Sequence, residues 1–137
     1  MDLQNLIDTI SNVTRAERSK YHLTLGGLIK ALEGVAPPTR VLIDRGFSPS
    51  VPHSYRGYYE DLAFEVSAEN MTAGEFLNIL KEQVLEKTFT GYKGGDFVMG
   101  ERTPLWISER GEASAIGIMG AVMFEGALTL LTEKIEC

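Results

Sequence analysis

A lone arginine stands among three tyrosines in Ser54-Tyr55-Arg56-Gly57-Tyr58-Tyr59-Glu60. A guanidinium presents a planar fork that matches phosphate oxygens, and tyrosine rings offer faces on which a base can stack. No other cation lies between Ser48 and Lys81. The structural alternative is that Tyr58 and Tyr59 are packing residues and Arg56 pairs with Glu60 or Asp61. In a second cluster Phe89, Tyr92 and Phe97 interleave with Lys87 and Lys93 around Gly91, Gly94 and Gly95. Glycines let a backbone approach a ligand closely, and an aromatic–basic mixture suits a nucleotide. The same glycines would equally serve the turn of a bulged hairpin. In a third segment Arg102 and Arg110 bracket Pro104-Leu105-Trp106-Ile107-Ser108. These arginines either face an anion or are solvated, and Trp106 is expected in the core. Together the three segments describe a pocket with aromatic faces and a few cations. Its candidate ligand-binding residues are Arg56, Tyr58, Tyr59, Phe89, Tyr92, Lys93, Phe97, Arg102 and Arg110.

Much catalytic chemistry lacks its residues. His22 and His53 are the two histidines, and Cys137 is the one cysteine. A zinc site needs three or four His or Cys ligands, so both histidines are expected to be ordinary surface or loop residues. Cys137 has no evident histidine partner for nucleophilic catalysis. No G-x-S-x-G elbow occurs, and Gly91 to Gly95 lacks the Gly-Lys-Ser/Thr ending of a phosphate-binding loop. The expectation is a non-enzymatic protein with no cofactor and no metal. An acid–base pair among the many carboxylates is the enzymatic alternative.

The chain of 137 residues is 44% hydrophobic and 23% charged, which fits one domain with a real core. Its formal net charge is −6. Residues 1–47 hold six Lys/Arg and five Asp/Glu, whereas residues 48–137 hold seven and fourteen. That acidic balance argues against DNA or RNA duplexes, which need a broad basic face, but not against one small anion held by local arginines. A single cysteine fits a reducing compartment. No apolar window is long enough to span a membrane, and the N-terminus lacks the basic-then-apolar order of a secretory signal. The expected location is the cytoplasm.

The elements that must position these residues follow from periodicity. Leu3, Leu6, Ile7, Ile10 and Val13 recur at helical spacing and predict a helix over 2–20. Leu25, Leu28, Ile29 and Leu32 predict a second, with Thr24 as N-cap and Gly34 as its stop before Pro37 and Pro38. Residues 40–44 read as a short strand, 46–60 as a loop, and 62–66 as a half-buried strand. Thr72-Ala73-Gly74-Glu75 is a capping box that opens a third helix carrying Phe76, Leu77, Leu80, Val84 and Leu85. Short strands are expected at 97–99 and 104–108, and a closing hairpin over 115–135 with its turn at Glu125-Gly126. The expected fold is a single α+β domain, residues 1–137. A helical N-terminal part (1–36) is followed by a mostly antiparallel sheet core with one further helix (37–137).

On Tyr-Arg-Gly-Tyr-Tyr, Gly-Tyr-Lys-Gly-Gly-Asp-Phe and Thr-Pro-Leu-Trp, within residues 46–108, the chain resembles the Thoeris anti-defence protein 1 family. These are phage-encoded sponges for immune signals. The resemblance implies sequestration, without degradation, of a cyclic nucleotide such as a cyclic ADP-ribose isomer, with cyclic oligonucleotides as further ligands. It also implies helices followed by a sheet, a homodimer or higher homo-oligomer, and the cytoplasm of the host. Two other readings stand beside it: a phage protein-interaction module that inhibits a host protein, and a nucleotide-processing enzyme.

Overall fold

A computed structural model describes residues 21–44, 46–55, 58–90, 96–109 and 112–134. The helix expected over 2–20 lies outside these residues. Helix α1 (Leu25–Glu33) is followed by strands β1 (Arg40–Ile43), β2 (Ser48–Tyr55), β3 (Tyr58–Ser67) and β4 (Met71–Thr72). Helix α2 (Ala73–Gln83) then leads to β5 (Thr88–Thr90), β6 (Asp96–Val98), β7 (Leu105–Glu109), β8 (Glu112–Phe124) and β9 (Ala127–Lys134). The fold is α+β. Seven strands form one sheet in the order β2-β3-β7-β8-β9-β1-β4, while β5 and β6 pair separately. Within this sheet, among the described residues, the β1–β9 and β3–β7 pairs are parallel and the others antiparallel.

That order forces the sheet to curl. β1 and β2 stand five positions apart, as do β3 and β4, which is about 24 Å across a flat sheet. The chain from Ile43 to Ser48 spans at most about 17 Å, and that from Ser67 to Met71 about 14 Å. The two ends of the sheet must therefore approach each other. At the first crossing the Ile43 amide donates to the Phe47 carbonyl (2.6 Å). The Asp44 carboxylate accepts from the Thr132 amide at 2.8 Å and from the Thr132 hydroxyl at 2.7 Å. Asp44 thus fastens the departing chain to β9 where β1 ends.

One side of the sheet, its inner face, takes both helices. Leu25, Leu28, Ile29 and Leu32 of α1 and Phe76 and Leu80 of α2 meet Val41, Ile43, Leu62, Phe64, Leu105, Ile107, Ile116, Ile118, Leu128 and Leu130 of the sheet in one buried cluster. The capping box is formed as expected: the Thr72 hydroxyl accepts from the Glu75 amide, and the Glu75 carboxylate accepts from the Thr72 amide. Thr24 caps α1 through the Gly27 amide, and Gly34 closes that helix. The β8–β9 turn has φ of 49° at Glu125 and 82° at Gly126, two positive values in a row, as a tight type I′ connection needs.

Two expectations are corrected. Within the expected loop 46–60, residues 48–55 and 58–60 are paired strands. Pro49 and Pro52 misled the reading, because proline lacks an N–H; β2 accommodates them as an edge strand of the sheet. The strand at 62–66 is not half-buried at its centre: Leu62, Ala63 and Phe64 are all fully buried. Leu62 and Phe64 face the helices, and Ala63 packs with Tyr55 and Trp106 on the opposite face.

Replacing Thr72 with Ala removes the cap from the Glu75 amide and is expected to cost about 1 kcal/mol. In a chain of this size the melting temperature should fall by about 3–5 °C, measurable by circular dichroism.

Candidate functional site

The outer face of the sheet carries the densest group of polar and aromatic side chains among the described residues. Ala63, Trp106 and Gly117 lie side by side on β3, β7 and β8. The neighbours of Trp106, Leu105 and Ile107, point into the main core, so the indole must point outward. It is nevertheless 3% exposed. Tyr55 stacks on it almost parallel (9°) with ring centroids 4.3 Å apart. His22 meets it at 4.5 Å and 60°. The indole Nε1–H donates to Asp61 Oδ2 at 2.8 Å, and Asp61 is fully buried. A carboxylate in that position is held by a charge-assisted hydrogen bond.

His22, expected as an ordinary surface or loop residue, lies in the irregular segment before α1 but is buried. Its Nδ1 lies 3.0 Å from the Leu105 carbonyl, which can only accept, so Nδ1 carries the proton and donates. The ring occupies space that β8 supplies by having no side chain at Gly117. A Cβ there would lie 2.7 Å from His22 Cε1. The sequence signal was available: a glycine amid Ala-Ile-Gly-Ile marks a strand position approached closely by something else. His53 is half-buried, with Nε2 3.2 Å from Glu65 Oε1.

This cluster fixes the end of the β2–β3 hairpin. Ser54 pairs with Leu62, but the next pair is Tyr55 with Tyr58. One step on β2 therefore answers four on β3, and residues 59–61 bulge from the ladder. Bulges of this kind re-aim side chains and recur beside binding sites. Both sides of the bulge are anchored on Trp106, by Tyr55 through stacking and by Asp61 through its hydrogen bond.

Of the residues chosen from sequence, Arg56 and Gly57 fall between the paired Tyr55 and Tyr58 but lie outside the described residues, as do Tyr92, Lys93 and Arg110. Tyr58 and Tyr59 begin β3. Phe89 and Phe97 are register partners in the β5–β6 pair. Phe89 is half-buried and packs against the main core, so it contributes to folding whatever else it does. Arg102 is exposed, in the 100–103 turn that the Thr103 amide closes onto the Gly100 carbonyl. Because β3 and β7 run parallel, with Leu62 beside Leu105, Arg102 and the Tyr58 end of β3 occupy the same end of the sheet. β7 continues to Glu109, so the strand separates Arg102 from the segment that holds Arg110. Trp106, expected in the core, is buried on the outer face; sequence reasoning missed its partners Asp61 and His22.

Two other places fail as anion sites. The first amides of α1 donate to the Thr103 and Glu101 carbonyls and to the Thr24 hydroxyl. Those of α2 donate to the Thr39 and Pro37 carbonyls and to the Thr72 hydroxyl. Neither helix start offers free donors to a phosphate. A cleft of about 390 Å³ beside α1 sets Lys30 against Glu33 and Glu101, a poor environment for a dianion. Among the described residues no group of three or more His, Cys, Asp or Glu is placed to hold a metal ion. No helix among them is long and apolar enough to cross a membrane.

Comparison with protein-family models, curated proteins and solved structures finds no match for this chain.

Gly117→Ala should drive the His22 ring from its hydrogen bond and destabilise the protein by about 1–3 kcal/mol, as overpacking does. In a His22→Ala background the same change should be neutral or stabilising, since Ala restricts the unfolded chain. Denaturant unfolding of the four proteins of this cycle measures the coupling directly.

Proposed function

We propose that the protein is a non-catalytic binder of a cyclic nucleotide, and that the end of the β2–β3 hairpin is its site. The observation that carries this reading is the pairing of Tyr55 with Tyr58 across Arg56-Gly57, above a bulge anchored to Trp106 and Asp61. A ligand site gains affinity when its groups are held before the ligand arrives, because less freedom is then lost on binding. Here the first tyrosine of the Tyr-Arg-Gly-Tyr-Tyr segment is buried and stacked, while the arginine two-residue connection follows it directly. Arginine supplies charge-assisted bonds to phosphate. Each base–aromatic stack contributes about 1–3 kcal/mol.

The resemblance to the Thoeris anti-defence family narrows the ligand to a cyclic ADP-ribose isomer, with cyclic oligonucleotides as a second class, and the role to sequestration in an infected cell. The chemistry of the outer cluster agrees with a holding role. Asp61 is fully buried and His22 nearly so, which leaves a substrate little of either to reach.

The direct test is to incubate the purified protein with cyclic ADP-ribose isomers, remove unbound ligand, denature by heat and analyse the supernatant. A sponge returns intact ligand; product in the supernatant would show an enzyme, and absence of captured ligand would end the proposal. Arg56→Ala should then lose one charged contact, about 1.5–3 kcal/mol, or roughly ten- to a hundredfold in calorimetric affinity. Unchanged affinity in a normally folded variant would remove Arg56 from the site.

A further inference from the structure

β8 is much longer than the strand beside it. It runs from Glu112 to Phe124, whereas β7 covers only Leu105–Glu109 and pairs with β8 no further than Trp106–Gly117. The next carbonyl, Ile118, accepts from the Leu23 amide. Beyond it the ladder is interrupted by an irregularity between Ile118 and Gly120. Residues 120–124 then pair on one side only, with β9. Their other edge meets no strand among the described residues. The stretch Gly120-Ala121-Val122-Met123-Phe124 contains no charge and no proline, the usual protections of an open edge.

Its side chains are also uncovered. Val122 and Phe124 share the outer face with Leu131, and these are 46%, 63% and 39% exposed. Met123, at the tip, is 52% exposed. Tyr21 is 72% exposed and stands two residues before the Leu23 amide that bonds to Ile118 at the start of this edge.

We infer that residues 120–124 of β8 pair antiparallel with the same residues of a second copy, about a two-fold axis at Val122. An isologous contact requires a surface that complements itself, and an antiparallel edge does so by geometry alone. Val122 then faces Val122, and Gly120 faces Phe124 of the other copy. Charge selects this place as well. Two chains of net charge −6 repel, and an uncharged edge is where they approach at least cost. If the exposed parts of Tyr21, Val122, Phe124 and Leu131 were all covered, each copy would bury at most roughly 400–500 Å², which brings two copies close to the roughly 1,000 Å² at which specific interfaces begin. The inference does not depend on the ligand, and its test uses none.

Sedimentation equilibrium of the full chain should give twice the 15.1 kDa protomer mass at micromolar concentrations. Val122→Lys sets two like charges against each other on the axis and should return the protomer mass with an unchanged circular dichroism spectrum. Val122→Cys in a Cys137→Ser background should form a disulfide-linked dimer on mild oxidation, because residues facing each other across antiparallel strands bring their Cβ atoms within about 4.5–5.5 Å. Val51→Cys in the same background, exposed on β2, should not. A protein that stays monomeric at 100-fold higher concentration overturns the inference, including the case in which a segment of its own chain covers the edge. A dimer that survives Val122→Lys and forms no 122–122 disulfide overturns it equally.

Discussion

Two connections too short for a flat sheet govern this structure. The passages from Ile43 to Ser48 and from Ser67 to Met71 each join strands five places apart in the sheet order. Neither can be made unless the sheet curls until its ends are near each other. The helix-bearing inside of the sheet and its opposite, outer face have different duties. The inside receives the apolar stripes of α1 and α2 and becomes the main core. The outside is left to a smaller cluster built on Trp106. The Asp44 carboxylate, bonded twice to Thr132, holds the chain at the corner where it leaves one end of the sheet for the other.

Much of the inside was legible in the sequence because local chemistry and periodicity fixed it. Thr24 and Gly34 bound α1, Thr72 and Glu75 open α2, and Glu125-Gly126 turns the last hairpin, each by a backbone requirement that few residues meet. The outside was not legible in the same way. Pro49 and Pro52 read as loop residues until it is known that β2 is an edge, and edge position is a property of sheet order, not of the segment. Asp61 read as a possible partner for Arg56. Its hydrogen bond to Trp106 joins residues 45 apart, and nothing at either position announces the other. Trp106 was expected to be buried and is, but one buried residue in a strand carries no sign of which face it takes until its neighbours are assigned.

The candidate site shares this division. The residue types at 54–60 drew attention in the sequence because arginine among tyrosines suits a phosphate-bearing ligand. What holds them is informative only in three dimensions: a stacked Tyr55, a bulge at 59–61 and a buried Asp61. The 89–97 region illustrates the opposite outcome at Phe89. Phe89 looked like a stacking platform, yet it lies against the main core. An aromatic ring serves either purpose equally well, so its type does not decide between them.

The mismatch between β7 and β8 links the covered and uncovered parts of the outer face. Where β7 accompanies β8, the indole of Trp106 and the ring of His22 fill the surface, and Gly117 leaves them room. Where β7 has ended, nothing comparable is found among the described residues: the chain at residues 22–24 reaches only as far as the Ile118 carbonyl. Lengthening β7 by three or four residues would pair the open edge, but those residues would have to come from the 100–104 segment. That segment is already committed. The Thr103 and Glu101 carbonyls take the first amides of α1, and Thr103 itself is fully buried. Anchoring α1 on the inner face therefore requires β7 to start late, and a late start leaves the far half of β8 with one partner among the described residues instead of two. The exposed apolar edge is a consequence of how the core helix is held.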